Sequence, residues 1–316
     1  MSHPLPALRI AVLIPCFNEA VSIGQVVAEF AGSLPGAKIY AYDNNSTDGT
    51  AERARAAGAR VGHEAQQGKG HVVRRMFADI EADIFVLVDG DQTYDAAAAP
   101  AMVRLLVDRQ LDMVTGTRVA DAPASAYRRG HRTGNVVLTG LVASLFGARV
   151  SDMLSGYRVF SRRFVKSFPA LSGGFETETE LTVHALQLGM PIGELEAPYR
   201  ERPSGSASKL RTLRDGLRIL RLILLLVKDE RPLPFFSAVG LVLFLVGMLL
   251  GGSVVMEFWR TGLVPRLPTA IVAAALVALS FLSFACGLIL DSVGRGRREM
   301  KRLAYLSIAA LPADPA

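Results

Sequence analysis

Val86-Leu87-Val88-Asp89-Gly90-Asp91 carries an apolar run straight into two carboxylates one residue apart, with a glycine between them that permits a tight backbone turn. Residues 84–88 are continuously apolar, as expected of a strand covered on both faces at the centre of a parallel sheet. Hard divalent cations take oxygen ligands of this kind. Mg²⁺ is commonly held by one or two carboxylates plus substrate phosphates, and Mn²⁺ suits the same donors. An acidic turn after a strand is also an ordinary surface feature, so the metal reading of Asp89 and Asp91 depends on what else reaches that end of the sheet.

Working outward, short β-rich runs alternate with helical ones from residue 8 to about 120. Strands are predicted at 10–14, 38–42, 60–63, 84–88 and 112–115, and helices at 22–33, 49–57, 70–80 and 99–109. That alternation predicts an α/β fold with a parallel sheet flanked by helices, in which ligands gather beyond the carboxyl ends of the strands. Two further polar clusters fall there: Ile14-Pro15-Cys16-Phe17-Asn18-Glu19 and Tyr42-Asp43-Asn44-Asn45-Ser46-Thr47-Asp48-Gly49-Thr50. The second also reads as a capped turn. Basic and small residues then predict a flexible stretch to about residue 132, followed by helices at 136–146 and 178–188.

The last quarter of the chain differs. Residues 235–256 and 269–290 contain no charged side chain; as helices each is roughly 33 Å long, close to the ~30 Å of a bilayer's hydrocarbon core. A core hairpin of a soluble domain would need a polar face that neither segment has. Residues 1–9 lack a signal-peptide pattern. The tail carries Arg295, Arg297, Arg298, Lys301 and Arg302, whereas the connection between the spans holds only Arg260 and Arg266 against Glu257. The positive-inside bias therefore predicts two spans in an inner or plasma membrane, with the N-terminal domain and both termini in the cytoplasm.

Residues 209–227 repeat apolar positions at helical spacing, with Arg211, Arg214, Arg218 and Arg221 interleaved. This reads as an amphipathic helix on the membrane surface, the alternative being a helix packed on its own domain. Much of the net charge of +6 sits there and after residue 291; attraction to anionic headgroups explains it more simply than nucleic acid does. Cys16 and Cys286 support neither a disulfide framework nor a zinc site. The expected layout is a catalytic domain at 1–208, a juxtamembrane helix at 209–232, two transmembrane helices within 233–294 and a tail at 295–316.

Taken together, the three clusters resemble the openings of family-2 glycosyltransferases of the GT-A (Rossmann-like) fold, which run Ile-Pro-x-x-Asn-Glu, then Asp-x-x-Ser-x-Asp-Gly-Thr, then Asp-x-Asp. Within that family the chain is most similar to the polyprenol-phosphate glycosyltransferases, the dolichol-phosphate mannose synthase group and its bacterial undecaprenyl-phosphate glucosyltransferase relatives. Further segments carry the resemblance along almost the whole chain: Gln67-Gly68-Lys69-Gly70, Gly116-Thr117-Arg118, Asp152-Met153-Leu154-Ser155-Gly156-Tyr157-Arg158, Phe175-Glu176-Thr177-Glu178 and Arg202-Pro203-Ser204-Gly205-Ser206-Ala207-Ser208-Lys209.

The resemblance implies that Asp89 and Asp91 hold Mg²⁺ or Mn²⁺ on the donor diphosphate. It implies that Pro15, Asn18, Glu19 and Asp43 surround the base and ribose, with Asp48, Lys69 and Gly90 also on the nucleotide side. Asp152 and Glu176 lie near the donor sugar by the same resemblance, and Arg118, Arg128, Arg129, Arg132, Arg202 and Lys209 are candidates for the acceptor phosphate. Two positions depart from the group's pattern. Thr93 stands where a Gln often follows the second metal Asp, and Asn44 where a second acidic residue is common. The third metal ligand and the base are left open.

The implied reaction is inverting transfer of a hexosyl group from a nucleotide sugar, UDP-linked in preference to GDP-mannose, to a polyprenyl phosphate. A phosphate oxygen is already ionised, so its attack needs little or no general base. Positioning and charge neutralisation then carry most of the catalysis, and guanidinium groups suit a phosphate dianion. Asp89, Asp91, Arg118 and Asp152 form the expected catalytic group. The expected partners are the donor, the lipid acceptor and membrane lipids, without nucleic acid, and the resemblance makes a homo-oligomer plausible. A processive polysaccharide synthase would share the fold and the membrane helices, but usually carries Gln-x-x-Arg-Trp, and the single tryptophan, Trp259, lies between the spans. A non-catalytic nucleotide-binding scaffold would not require both carboxylates of the Asp89 and Asp91 pair.

Overall fold

A computed structural model describes residues 8–120, 151–170, 173–174, 176–200 and 231–311, with single positions at 140, 225 and 228. The chain divides into two compact units, Met1–Ile219 joined by Lys301–Ala316, and Leu220–Met300. The stretch predicted to be flexible from 116 to about 132 is corrected at its start, where residues 116–120 continue a strand by pairing with residues 195–199; the rest of it, all but one residue of the helix at 136–146 and nearly all of the juxtamembrane helix at 209–232 lie outside the described residues.

In the first unit the described elements run β1 (Ile10–Cys16), α1 (Ile23–Ser33), β2 (Lys38–Asp43), α2 (Thr50–Ala56), β3 (Arg60–His63), α3 (Lys69–Asp79), β4 (Ile84–Leu87), a short 3₁₀ turn at Ala96–Ala98 and α4 (Ala99–Asp108). Then come β5 (Met113–Ala120), β6 (Arg158–Ser161), α5 (Arg162–Ser167), α6 (Thr177–Leu188) and β7 (Ile192–Tyr199). The strands form one sheet in the order β3-β2-β1-β4-β6-β5-β7, so β4 is central, as its continuous apolar run predicts. Both faces of the sheet are covered. β1 sends Val12 and Ile14 into a layer with Phe30 of α1 and Met102 and Leu106 of α4. Its alternate residues, Ala11 and Leu13, enter a second layer with Val73, Met76 and Phe77 of α3 and Leu181 of α6.

The five strands between residues 10 and 120 all run in one direction, as predicted, and the sheet is mixed only through β6, which lies beyond them. β6 runs antiparallel to both β4 and β5, with Leu87 opposite Arg158 and Ile84 opposite Ser161. The physical reason is where β6 starts. The chain enters it from the 151–157 turn, at the carboxyl end of the sheet, and can only run back down.

The segment from Lys301 belongs to this first unit. Tyr305 donates its hydroxyl to Asp112 Oδ2 at 2.7 Å, and the Arg163 guanidinium stands 4.8 Å from the Tyr305 ring centre while its Nε donates to Asp112 Oδ1 at 2.6 Å. Lys301 Nζ donates to Gln187 Oε1 at 2.9 Å. Nearby, His184 of α6 meets the edges of Phe164 and Phe168, each at 5.4 Å between ring centres.

Burial, aided by the Lys301 charge, pushes the His184 imidazole down to about 3. The unfolded chain, with an imidazole near 6.5, therefore takes up the proton first. The His184 contribution to stability is complete above about pH 6.5 and falls, by up to about 1.4 kcal/mol per pH unit, as pH drops from there toward the folded value. Melting curves at pH 7 and pH 5 test this: the wild type is expected to lose more melting temperature than His184→Leu.

The second unit holds α7 (Pro232–Thr261) and most of α8 (Leu267–Leu306), of 30 and 40 residues, both long and apolar enough to cross a membrane. Only 11% and 17% of their most apolar windows are buried, which separates them from core helices of a soluble protein. α8 continues well past residue 290, where the predicted span ends. Apart from Pro232 at the start of α7, the buried residues recur every seven positions: Gly240, Gly247 and Val254 on one helix, and Ala273, Ser280, Gly287 and Gly294 on the other. A side chain at Gly240 would stand 3.0 Å from the Ser280 carbonyl oxygen, so small residues let the backbones approach as they do in membrane helix pairs. A seven-residue repeat keeps such a seam facing its partner through a left-handed twist.

Candidate active site

The loops after β1 and β2 are bolted into one rim. Asn18, at φ 52°, accepts the Thr47 N–H on Oδ1 at 2.9 Å and donates its own N–H to Ser46 Oγ at 2.9 Å. The Glu19 N–H donates to Thr50 Oγ1 at 2.9 Å. Asp48 accepts the Ala20 N–H at 3.0 Å on one oxygen and the Thr50 N–H at 3.1 Å on the other. Asp48, grouped with the nucleotide residues by resemblance, thus acts on the two loops themselves. Gly90 is similar, since its carbonyl accepts the Ser22 hydroxyl at 2.7 Å and ties the β4 turn to the start of α1. Pro15 lies within β1, opposite Tyr42 of β2.

Asp43 closes β2. Its Oδ2 accepts the Ser46 N–H at 3.1 Å, while Oδ1 is buried with no hydrogen-bond partner among the described residues. Beside it, the buried amide of Asn44 is fully used. Nδ2 donates to the carbonyls of Glu64 and Gln66, each at 2.8 Å, and Oδ1 accepts the Gly68 N–H at 2.7 Å and Gln67 Nε2 at 3.3 Å. A carboxylate here could not donate to two carbonyls. That explains the departure at this position: Asn44 anchors the loop leading into α3.

The pair after β4 is set at two depths, Asp89 being partly open and Asp91 buried. Asp91 Oδ1 accepts from Thr93, whose N–H lies at 3.2 Å and Oγ1 at 2.6 Å. The residue that replaces the group's Gln therefore orients the second carboxylate. Asp89 Oδ1 and Glu178 Oε1 both bind Lys69 Nζ, the first residue of α3. Burial works against the Lys69 ammonium, but the two carboxylates outweigh it and raise its affinity for the proton.

On the far side of Asp89, the Asp152–Arg158 turn lies close enough that a side chain at Gly156 would collide with Asp89 Oδ2. Asp152 takes Arg118 in a two-pronged pair, Nε to Oδ2 at 2.7 Å and Nη2 to Oδ1 at 2.8 Å. The guanidinium also stands 5.7 Å from the centre of the Tyr199 ring. Burial alone would raise the Asp152 carboxyl, yet the Arg118 hydrogen bonds and charge hold it below the usual range.

Two buried residues outside the expected set shape this region. Arg158, fully enclosed, donates to the carbonyls of Ser155 at 3.0 Å and Met153 at 2.6 Å and to Thr182 Oγ1 at 2.8 Å, joining the Asp152 turn to α6. Burial lowers its guanidinium to about 10. Glu178 reaches Lys69, whereas Glu176 precedes α6 at its N-cap position. The signal for choosing between them was helical phase: residues two apart on a helix point about 200° apart. Arg128, Arg129, Arg132, Arg202 and Lys209 lie outside the described residues.

Asp89 and Asp91 supply hard oxygen donors at the mouth of the sheet, and among the described residues no group of three or more His, Cys, Asp or Glu assembles there or elsewhere. Two carboxylates with phosphate and water completing the shell is a usual arrangement for Mg²⁺, so the residues fit that class of ion.

Residues 11–168 match the model of "Glycosyl transferase family 2". The glycosyltransferase AglJ of Haloferax volcanii is 32% identical over 299 residues, covering 94% of this chain and 98% of that protein. The dolichyl-phosphate hexose transferase of the same organism is 30% identical over 222 residues, covering 70% and 95%. Among solved structures, glucosyl-3-phosphoglycerate synthase of Mycobacterium tuberculosis with Mn²⁺, UDP and phosphoglyceric acid superposes with a TM-score of 0.55 at 26% identity, over 70% of this chain and 78% of that one. Another crystal structure of that enzyme contains Mg²⁺ and UDP. With a GT-A sheet, a carboxylate pair at the end of its central strand and these matches, the chain belongs to glycosyltransferase family 2.

Proposed function

We propose that this enzyme transfers a hexosyl group, with inversion, from a nucleotide sugar to a polyprenyl phosphate at the cytoplasmic face of an inner or plasma membrane, using Mg²⁺ or Mn²⁺. A UDP-sugar is the preferred donor over GDP-mannose. The observation that carries the reading is the union in one chain of a carboxylate-tipped GT-A sheet and two apolar helices whose faces are largely uncovered. The similarity to a dolichyl-phosphate hexose transferase supports the lipid acceptor, and the UDP-bound neighbours support the donor. In this reading residues 1–208 form the catalytic domain, 209–232 a juxtamembrane helix, 233–294 the two spans and 295–316 the tail.

The chain's own groups divide the work. Asp43 Oδ1, buried without a partner among the described residues, accepts from the base or ribose. Asp89 and Asp91 would hold the cation, which when bound neutralises the departing nucleoside diphosphate. Arg118, fixed by Asp152 and by the face of Tyr199, presents its guanidinium to the acceptor phosphate in one orientation. Asp152 is thereby an orienting group and not the base. A phosphate oxygen bonds to the anomeric carbon as the bond to the diphosphate breaks, and one displacement inverts the centre.

The test is transfer by the whole protein in detergent from radiolabelled UDP- and GDP-sugars, offered undecaprenyl phosphate or 3-phosphoglycerate, with Mg²⁺, Mn²⁺ or EDTA. A chloroform-soluble, metal-dependent product from one donor is expected. Product on phosphoglycerate alone, or no lipid product from any donor, would overturn the acceptor assignment.

A further inference from the structure

Lys69 occupies an unusual place for a surface-type side chain. The residue before it is held in place. Gly68 N–H is held by Asn44, and Gly68 itself, at φ +139°, sits so close beneath the Gly173 carbonyl that no side chain would fit. The Lys69 ammonium lies between Asp89 and Glu178, with the lysine side chain 12% and the Glu178 side chain 7% exposed.

Charge decides what this arrangement does. A divalent cation arriving at Asp89 alone meets an ammonium on the same carboxylate, in a pocket where water screens poorly. An incoming diphosphate changes the balance, because it offers the ammonium new oxygen acceptors. Glu178 can hold the lysine through that exchange, and its second oxygen, buried and without a hydrogen-bond partner among the described residues, has capacity for a further donor.

Building on the reading of Asp89 and Asp91 as metal carboxylates, we infer that Lys69 is the internal counter-ion of Asp89 in the unloaded site, so that metal and nucleotide diphosphate bind together. The diphosphate draws the ammonium off Asp89, and the cation takes its place. By linkage, each ligand tightens the other.

Electron paramagnetic resonance of free Mn²⁺ measures this on the full-length protein in detergent, with and without UDP. UDP is expected to raise the wild-type Mn²⁺ affinity by about tenfold or more, within the usual range of such couplings. Lys69→Met is expected to bind Mn²⁺ without UDP about tenfold more tightly than wild type and to lose most of the UDP effect. Lys69→Arg, which keeps the charge, should match the wild type without UDP. Lys69→Gln serves the same purpose as the Met variant if that one fails to fold. UDP-dependent Mn²⁺ uptake that neither neutral variant alters would overturn the counter-ion and leave the metal reading standing, as would equal wild-type affinity with and without UDP. No Mn²⁺ uptake under any condition would overturn both.

Discussion

Asp91→Asn is expected to lower kcat/KM for sugar transfer by about a thousandfold, equivalent to about 4 kcal/mol of lost transition-state stabilisation. The variant is close to isosteric. Asp91 is buried and its Oδ1 accepts from Thr93; an amide oxygen can accept the same hydrogen bonds. What disappears is the charge. The melting temperature should therefore stay within a few degrees while transfer collapses, and the metal concentration for half-maximal rate should rise. Activity within tenfold of wild type would remove Asp91 from the metal site.

The second large effect is on folding as well as rate. Arg118→Ala strips both guanidinium hydrogen bonds from Asp152, which is only 7% exposed. Leaving one member of a buried pair behind typically costs about 3–5 kcal/mol, and loss of the oriented cation should cost about a hundredfold in transfer. Because the Asp152 carboxyl is held below its usual value, the pair contributes fully above about pH 4 and its contribution is lost as pH falls through the lowered value. Chemical denaturation at pH 7 of Arg118→Ala, Asp152→Ala and the double variant completes the test. The double variant is expected to be more stable than the sum of the two single losses predicts. Strict additivity would mean that the pair is not coupled.

Local signals explain why β1 to β4 and the helices between them were readable in the sequence. β1 and β4 are apolar runs ending in turns, and α3 buries Val72, Val73, Met76 and Phe77 at helical spacing. β6 went unread because its first residue, Arg158, is fully buried, a placement for a charge that only the carbonyls of Ser155 and Met153 make bearable. β7, Ile-Gly-Glu-Leu-Glu-Ala-Pro-Tyr, carries charges and a proline, as edge strands do. The glycine and serine seam of α7 and α8 was written at seven-residue spacing all along, but overall apolarity hides it.

In the site, the strand-end clusters marked where polar groups gather, because topology alone puts them there. Their division of labour did not show. Asp48 and Gly90 brace loops, Thr93 steadies Asp91, and Asn44 holds carbonyls twenty and twenty-two residues onward in the chain. Such contacts depend on the closed fold and leave no periodic trace.

The placement of Tyr305 on Asp112 bears on how the molecule is made. A ribosome finishes the strands long before it reaches Lys301, and both apolar helices are translated in between. Until then Asp112 waits without its tyrosine. In the proposed topology, with both apolar helices crossing a bilayer, an even number of crossings returns the last residues to the compartment of the sheet, whereas a single crossing would leave them on the other side. On that reading, the Tyr305–Asp112 hydrogen bond forms only after both helices have been inserted, so it closes last in the making of the domain.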